Sequence, residues 1–298
     1  MSAAVAVTPA LLRGMPLPSH HEGQDKNARG RVLVIGGSVE VPGAALLAGL
    51  AALRAGAGKL QVASVRSLAA HLAIALPEAR VTGLAETAEG GIDPAAADLL
   101  AGRLGGCDAA VVGPGMMDRP AVVALTQRLL EAAEPGPGLV LDAEALCGLL
   151  ECRDGLRRHA GRLVITPHAG EMAGLLGLSR DEVEADPLGV ARQAAARLGA
   201  VVVMKGGCSR IVSPQGQAWS CDQGNVGLAT SGSGDTLAGI IAALMARGAP
   251  PVVATLWGVW LHGEAGNRLA QSCGPVGFLA REIPAEVPRI MAAMLRPA

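Results

Sequence analysis

Six short apolar runs recur along the chain, at residues 32–35, 60–63, 109–112, 139–141, 163–165 and 201–204, with longer Ala/Leu-rich stretches between them. A run of three or four such residues is too short for a helix, and apart from Gln61 none carries a polar position that would mark a solvent face. Each therefore reads as a strand covered on both sides. The stretches at 43–55, 121–133 and 188–198 have helical length. Strand and helix in alternation form crossover connections, so the chain is expected to fold as an α/β protein, a mostly parallel central sheet between two helical layers. Towards the C-terminus the pattern changes. Residues 210–212 and 217–220 flank the turn-like Ser213-Pro214-Gln215-Gly216 and read as a β-hairpin, and apolar helices at 234–247 and 252–269 are expected to close the chain. No composition shift marks an internal boundary, so a lead segment, 1–29, is expected to precede one domain, 30–298.

Composition narrows the function classes. Lys plus Arg number 25 against 26 Asp plus Glu, so no global field attracts nucleic acid or acidic lipid. Aromatic residues are confined to Trp219, Trp257, Trp260 and Phe278, too few for base-stacking platforms. Mean hydropathy is +0.38, yet Arg54 interrupts the longest candidate membrane stretch. The six cysteines show no CxxC spacing and read as buried thiols in a reducing compartment. With no signal-peptide pattern and no glycosylation sequon, a cytoplasmic protein acting on a small molecule is expected.

Glycine-rich or polar clusters follow the apolar runs directly: Gly36-Gly37-Ser38, Gly113-Pro114-Gly115, Asp142-Ala143-Glu144, Thr166-Pro167-His168 and Lys205-Gly206-Gly207. In a parallel sheet these share the carboxyl edge, where ligands of such folds bind, although βα turns use glycine for their own geometry as well. The sharpest local signal is Gly232-Ser233-Gly234-Asp235 ahead of an apolar helix. Its small residues let a ligand reach backbone N–H groups at a helix N-terminus, which suits phosphate, and Asp235 beside them reads either as a proton acceptor or as a first-turn acid favoured by the helix dipole. His168 reads as a ligand contact or a structural loop histidine. Lys205 reads as a phosphate contact or a solvated cation. Ala57-Gly58-Lys59-Leu60 fails as a P-loop because Leu53 and Leu60 occupy positions that need Gly and Ser/Thr, and no GxGxxG, HExxH or GxSxG occurs.

These segments in order, GRVLVIGGS, VPGAALLAGLAALRAGAGKL, VVGPG, LVLDAEAL, ITPHAGEM, VVMKGG, GNVGLATSGSGDTLAGIIAALMARG and LHGEAGN, resemble the ribokinase-like ADP-dependent NAD(P)H-hydrate dehydratases from about residue 30 to 290. Val226, Leu228, Ser231 and Ala169 depart from the family's usual Pro, Met, Gly and Pro. The resemblance implies dehydration of the S epimer of hydrated NADH or NADPH, driven by ADP or ATP with Mg2+ through phosphorylation of the ring hydroxyl and loss of phosphate. It implies Asp235 as the base, with Gly232, Ser233 and Gly234 as the anion hole. Ala44, Gly113, Gly115, His168 and Asp235 would contact the hydrate, and Lys205, Gly206, Gly207, Cys208, Ser209 and Gly234 the nucleotide. Metal ligands are not implied. A separate epimerase is the expected functional partner, and a homo-oligomer the expected assembly. The competing readings are a hydroxyethylthiazole kinase-like enzyme, a nucleotide-binding sensor without turnover, and an NAD-linked oxidoreductase, the last weakened by the missing GxGxxG.

Overall fold

A computed structural model of the chain describes residues 3–23, 25–132 and 136–295. The strands are β1 (Val5–Ala6), β2 (Arg31–Ile35), β3 (Lys59–Val65), β4 (Ala79–Leu84), β5 (Ala109–Val112), β6 (Gly138–Leu141), β7 (Leu163–Ile165), β8 (Val201–Met204), β9 (Ser209–Val212) and β10 (Ala218–Cys221). The α-helices are α1 (Pro9–Arg13), α2 (Gly43–Arg54), α3 (Arg66–Ala75), α4 (Ala97–Leu104), α5 (Arg119–Ala132), α6 (Arg153–Arg158), α7 (Ala169–Leu176), α8 (Arg180–Ala185), α9 (Pro187–Leu198), α10 (Ser233–Ala246), α11 (Pro251–Cys273) and α12 (Ile283–Leu295).

All ten strands form one sheet in the order β1-β10-β9-β8-β7-β6-β5-β2-β3-β4. Pairing is parallel except at β9, which runs against both β8 and β10 as the hairpin reading requires. The apolar runs alternate between two cores, as the two-residue period of a strand dictates. Val32, Val34, Val111, Val140, Val164 and Val203 face the layer containing α2, α10, α11 and α12. Leu33, Ile35, Val112, Leu141, Ile165 and Val202 face the layer containing α4, α5, α7 and α9. Continuous apolar strands follow from this, since neither face meets water.

The chain runs outward from β2 through β3 to β4, then returns to place β5 on the other flank of β2. The loops after β2 and β5 therefore diverge at a topological switch point, where α/β sheets open a crevice. Gly37 N–H donates to the Pro114 carbonyl at 2.7 Å, and a Cβ on Gly36 would lie 2.5 Å from that oxygen, so only glycine permits this contact.

Several elements lie outside the expected set, among them β4, α12, β1 and α1. Edge strand β4 has no continuous apolar run, being half-exposed with Arg80 and Thr82 within it. Helix α12 follows α11, so α11 does not close the chain as expected. The lead segment contributes β1 and α1: Val7, Leu12 and Leu17 are buried, and Trp257 Nε1 donates to the Met15 carbonyl at 2.8 Å. Of the cysteines, Cys107, Cys152 and Cys221 are buried as expected, Cys147 and Cys208 are partly buried, and Cys273 is exposed. Among the described residues no helix is long and apolar enough to cross a membrane.

Candidate active site at the carboxyl edge of the sheet

Asp142 leaves the end of β6 and is 2% exposed. A carboxylate so buried requires partners. Its Oδ1 accepts from Thr166 Oγ1 at 2.7 Å and from Lys205 Nζ at 2.9 Å, joining the ends of β6, β7 and β8. The next residue, Ala143, adopts a left-handed φ of 52°, a strained conformation for a residue with a Cβ. Gly113 brings the β5 loop beneath this corner, where a Cβ would stand 1.8 Å from the Asp142 carbonyl oxygen. Gly115 abuts the start of α2, its missing Cβ falling 2.7 Å from that of Ala44.

Lys205 Nζ also lies 3.6 Å from Glu171 Oε2. Burial pulls its ammonium down, but the charges of Asp142 and Glu171 outweigh that and hold its pKa above the ordinary lysine value. Lys205 is thus a paired cation and not a solvated one. Gly206 and Gly207 beyond it are exposed, and Cys208 and Ser209 lead half-buried into β9.

His168 begins α7. Its Nδ1 accepts the Gly170 and Glu171 N–H groups at 3.0 and 3.2 Å, while Glu171 Oε2 accepts the His168 N–H at 2.7 Å, a reciprocal capping box. The structural role weighed for this histidine is therefore present, and the cap leaves the ring proton on Nε2, on a side chain 58% exposed. The far edge has a neighbour of its own, Nε2 lying 3.5 Å from Glu171 Oε1.

Helix α10 starts at Gly232, whose φ of 88° suits glycine, and no side chain caps it. The first-turn amides of Gly234 and Asp235 consequently keep their donor capacity. A Cβ on Gly234 would stand 3.3 Å from Lys205 Nζ and 3.7 Å from Asp142 Oδ2, which sets the glycine-rich turn directly beside the Asp142–Lys205 pair. On its other side, Gly232 would meet Leu47 of α2 at 2.4 Å, one turn from Ala44. Asp235 feels all of this. Burial first, then the Asp142 carboxylate and Glu171, push its pKa up to about 7 against the opposing pull of Lys205. The carboxyl is poised to exchange a proton near neutral pH, which a mere capping acid has no need to do.

The Ser233 side chain is buried and meets His262 of α11, Oγ to Nε2 at 3.0 Å. In the sequence His262 is marked only by the segment LHGEAGN, which is silent about the contact. Two further bonds tie α11 to the chain ahead of α10: Gln223 Nε2 to Glu264 Oε2 at 2.8 Å and Asn225 Nδ2 to Asn267 Oδ1 at 3.2 Å. Among the described residues no three His, Cys, Asp or Glu side chains gather as a metal cage.

The family model described as NAD(P)H-hydrate dehydratase matches residues 32–289. The chain belongs to the NAD(P)H-hydrate dehydratase family. It is 50% identical over 286 residues to an ADP-dependent (S)-NAD(P)H-hydrate dehydratase of Xanthomonas campestris, covering 96% of this chain and 95% of that one. It is 39% identical to a bifunctional NAD(P)H-hydrate repair enzyme of Moorella thermoacetica, of which it spans half the length. A solved ADP/ATP-dependent NAD(P)H-hydrate dehydratase of Bacillus subtilis, co-crystallised with ATP and Mg2+, superposes with a TM-score of 0.81 at 28% identity over 98% of this chain and 99% of that one. The ribokinase-like α/β fold expected from the sequence is the fold observed.

Proposed function

We propose that the protein dehydrates the S epimer of hydrated NADH or NADPH with ADP or ATP as phosphoryl donor. The observation that carries this reading is Asp235, its pKa near neutrality, set in the uncapped first turn of α10 beside Lys205. The terminal phosphoryl group lies against the Gly234 and Asp235 amides, with Lys205 and the turn through Gly206, Gly207, Cys208 and Ser209 holding the rest of the nucleotide. Ala44, Gly113, Gly115 and His168 hold the hydrate at the switch-point crevice. Asp235 takes the proton of the ring hydroxyl as its oxygen attacks phosphorus, and the nucleotide leaves one phosphate shorter. Water is a poor leaving group from the ring carbon and phosphate a good one. The ring nitrogen lone pair then expels phosphate, and loss of a proton from the adjacent carbon restores the double bond of NAD(P)H. Magnesium supplies charge neutralisation on the nucleotide phosphates.

The assay incubates the protein with hydrated NADH, Mg2+ and either ADP or ATP and follows recovery of NADH absorbance. A phosphorylated product with no NADH would show a kinase of the same fold, and nucleotide binding without turnover a sensor. A separate epimerase supplying the S form is part of the same proposal, supported by the fused relative of twice the length. So are a cytoplasmic location and a homo-oligomeric state, the latter open to light scattering.

A further inference from the structure

The carbonyl oxygen of Ser233 receives two donors. Thr236 Oγ1 reaches it at 2.7 Å from the next turn of α10, and His262 Nε2 reaches it at 3.0 Å from α11. Because a peptide unit is planar and trans, the carbonyl of Ser233 and the N–H of Gly234 point in opposite directions. Fixing one aims the other. Gly234 itself borders Lys205 and Asp142, a Cβ on it falling 3.3 Å from Lys205 Nζ and 3.7 Å from Asp142 Oδ2, and the glycines on both sides of Ser233 give this turn backbone freedom that side chains would remove.

We infer that His262 is a positioning residue: by holding the Ser233 carbonyl against α11 it aims the Gly234 N–H at the transferred phosphoryl group. The inference rests on the proposed phosphoryl transfer and adds to it a residue that touches neither substrate.

A neutral ring has one proton to give, so the positioning tautomer carries it on Nε2, which donates to the Ser233 carbonyl while the hydroxyl Oγ lies 3.0 Å from the same nitrogen. The groups facing the ring favour a neutral imidazole. Burial first, and the Lys205 ammonium in addition, lower its pKa to about 4 despite the bond to Ser233, so the anchor keeps one protonation state throughout the neutral range. Donation to the carbonyl also polarises the peptide and strengthens its N–H as a donor. Helix α11 is suited to this work because Gly263 and Gly266 let it approach the segment ahead of α10, where side chains would strike Gln223 and Leu228.

The test compares wild type, His262→Leu and His262→Gln in the dehydration assay, with hydrogen exchange of the 230–236 segment measured on the same samples. His262→Leu should lower kcat at least about tenfold, less than the full loss of an oxyanion donor, while the nucleotide KM moves less. His262→Gln, whose amide can donate to the same carbonyl, should restore kcat to within a few-fold. Exchange in the segment should rise with Leu and not with Gln. A His262→Leu enzyme with normal kcat, or Leu and Gln variants equally slow, overturns the inference. If wild type itself gives no NADH, the functional proposal falls. Exchange then decides the positioning role alone, and an unchanged segment in His262→Leu refutes it.

Discussion

An ionised Asp235 sits among groups that repel it, because burial and two carboxylates outweigh one lysine. The native state therefore keeps a proton that the unfolded chain releases, from the ordinary value of 3.8 up to about 7. The sign follows: stability from this group is fully present below about pH 4 and is lost as pH rises towards 7, each unit being worth about 1.4 kcal/mol. Asp235→Asn removes the penalty, so denaturant titrations should find the variant more stable than wild type at pH 8, by up to about 4 kcal/mol, with a smaller gap at pH 5. A gap independent of pH would contradict the assigned pKa. Turnover should move the other way and fall by at least about 10²-fold, since an amide cannot accept the hydroxyl proton, while ADP binding persists. For wild type, kcat/KM should rise with pH through about 7 as Asp235 ionises. Asp142→Asn deletes the nearest repelling charge and should carry that limb to lower pH; a limb left in place would assign it to another group. Asp142 and Lys205 were each legible in the sequence as polar residues ending an apolar run. Their pairing was not, because 63 residues separate them and only the strand order brings β6 and β8 to one edge.

Between elements, the closest approach at the site's foundation is that of α2 and α10. A Cβ on Gly239 would stand 2.1 Å from the Ala48 carbonyl, so the helices touch backbone to backbone. Gly239→Ala must separate them, which overpacking costs put at about 1–3 kcal/mol, and the melting temperature should drop by roughly 3–10 °C. An unchanged melting curve would mean the helices shift freely. Because α2 carries Ala44 and α10 carries Asp235, the same variant should also raise KM for the hydrate. From sequence, Gly239 is one more glycine in an apolar helix, and its necessity depends on a neighbour almost two hundred residues away. The central strands were legible for the opposite reason, that their burial on both faces is written into consecutive residues. Strand β4 escaped because an edge position needs no such run, and β1 because two residues carry no pattern.

At the scale of the whole molecule, the two cores on either side of the sheet share the load, and the lead segment belongs to the first of them. Val7, Leu12 and Leu17 pack in the core shared by α10, α11 and α12, and Arg247 Nε donates to His20 Nε2 at 3.2 Å. From sequence these positions are scattered apolar residues among prolines, with no period to mark them, because β1 and α1 are too short to show one. Their burial makes a sharp test. Fully burying one such side chain is worth about 1.5–3 kcal/mol, and three together approach the 5–15 kcal/mol by which native domains are stable at all. A chain lacking residues 1–17 should therefore melt well over 10 °C lower, with Trp257 fluorescence shifted to the red as its indole loses the Met15 carbonyl. Saturating ADP should recover part of that loss, since a ligand bound only to the native state at a hundredfold excess over Kd adds about 2.7 kcal/mol. If the segment were an appendage, truncation would leave both melting curve and emission unchanged. If truncation lowered stability and ADP restored none of it, the nucleotide site at Lys205 and Gly234 would itself depend on the lead segment, which pairs with β10 through Val5 and Ala6 and through the Val7 N–H to the Ser220 carbonyl.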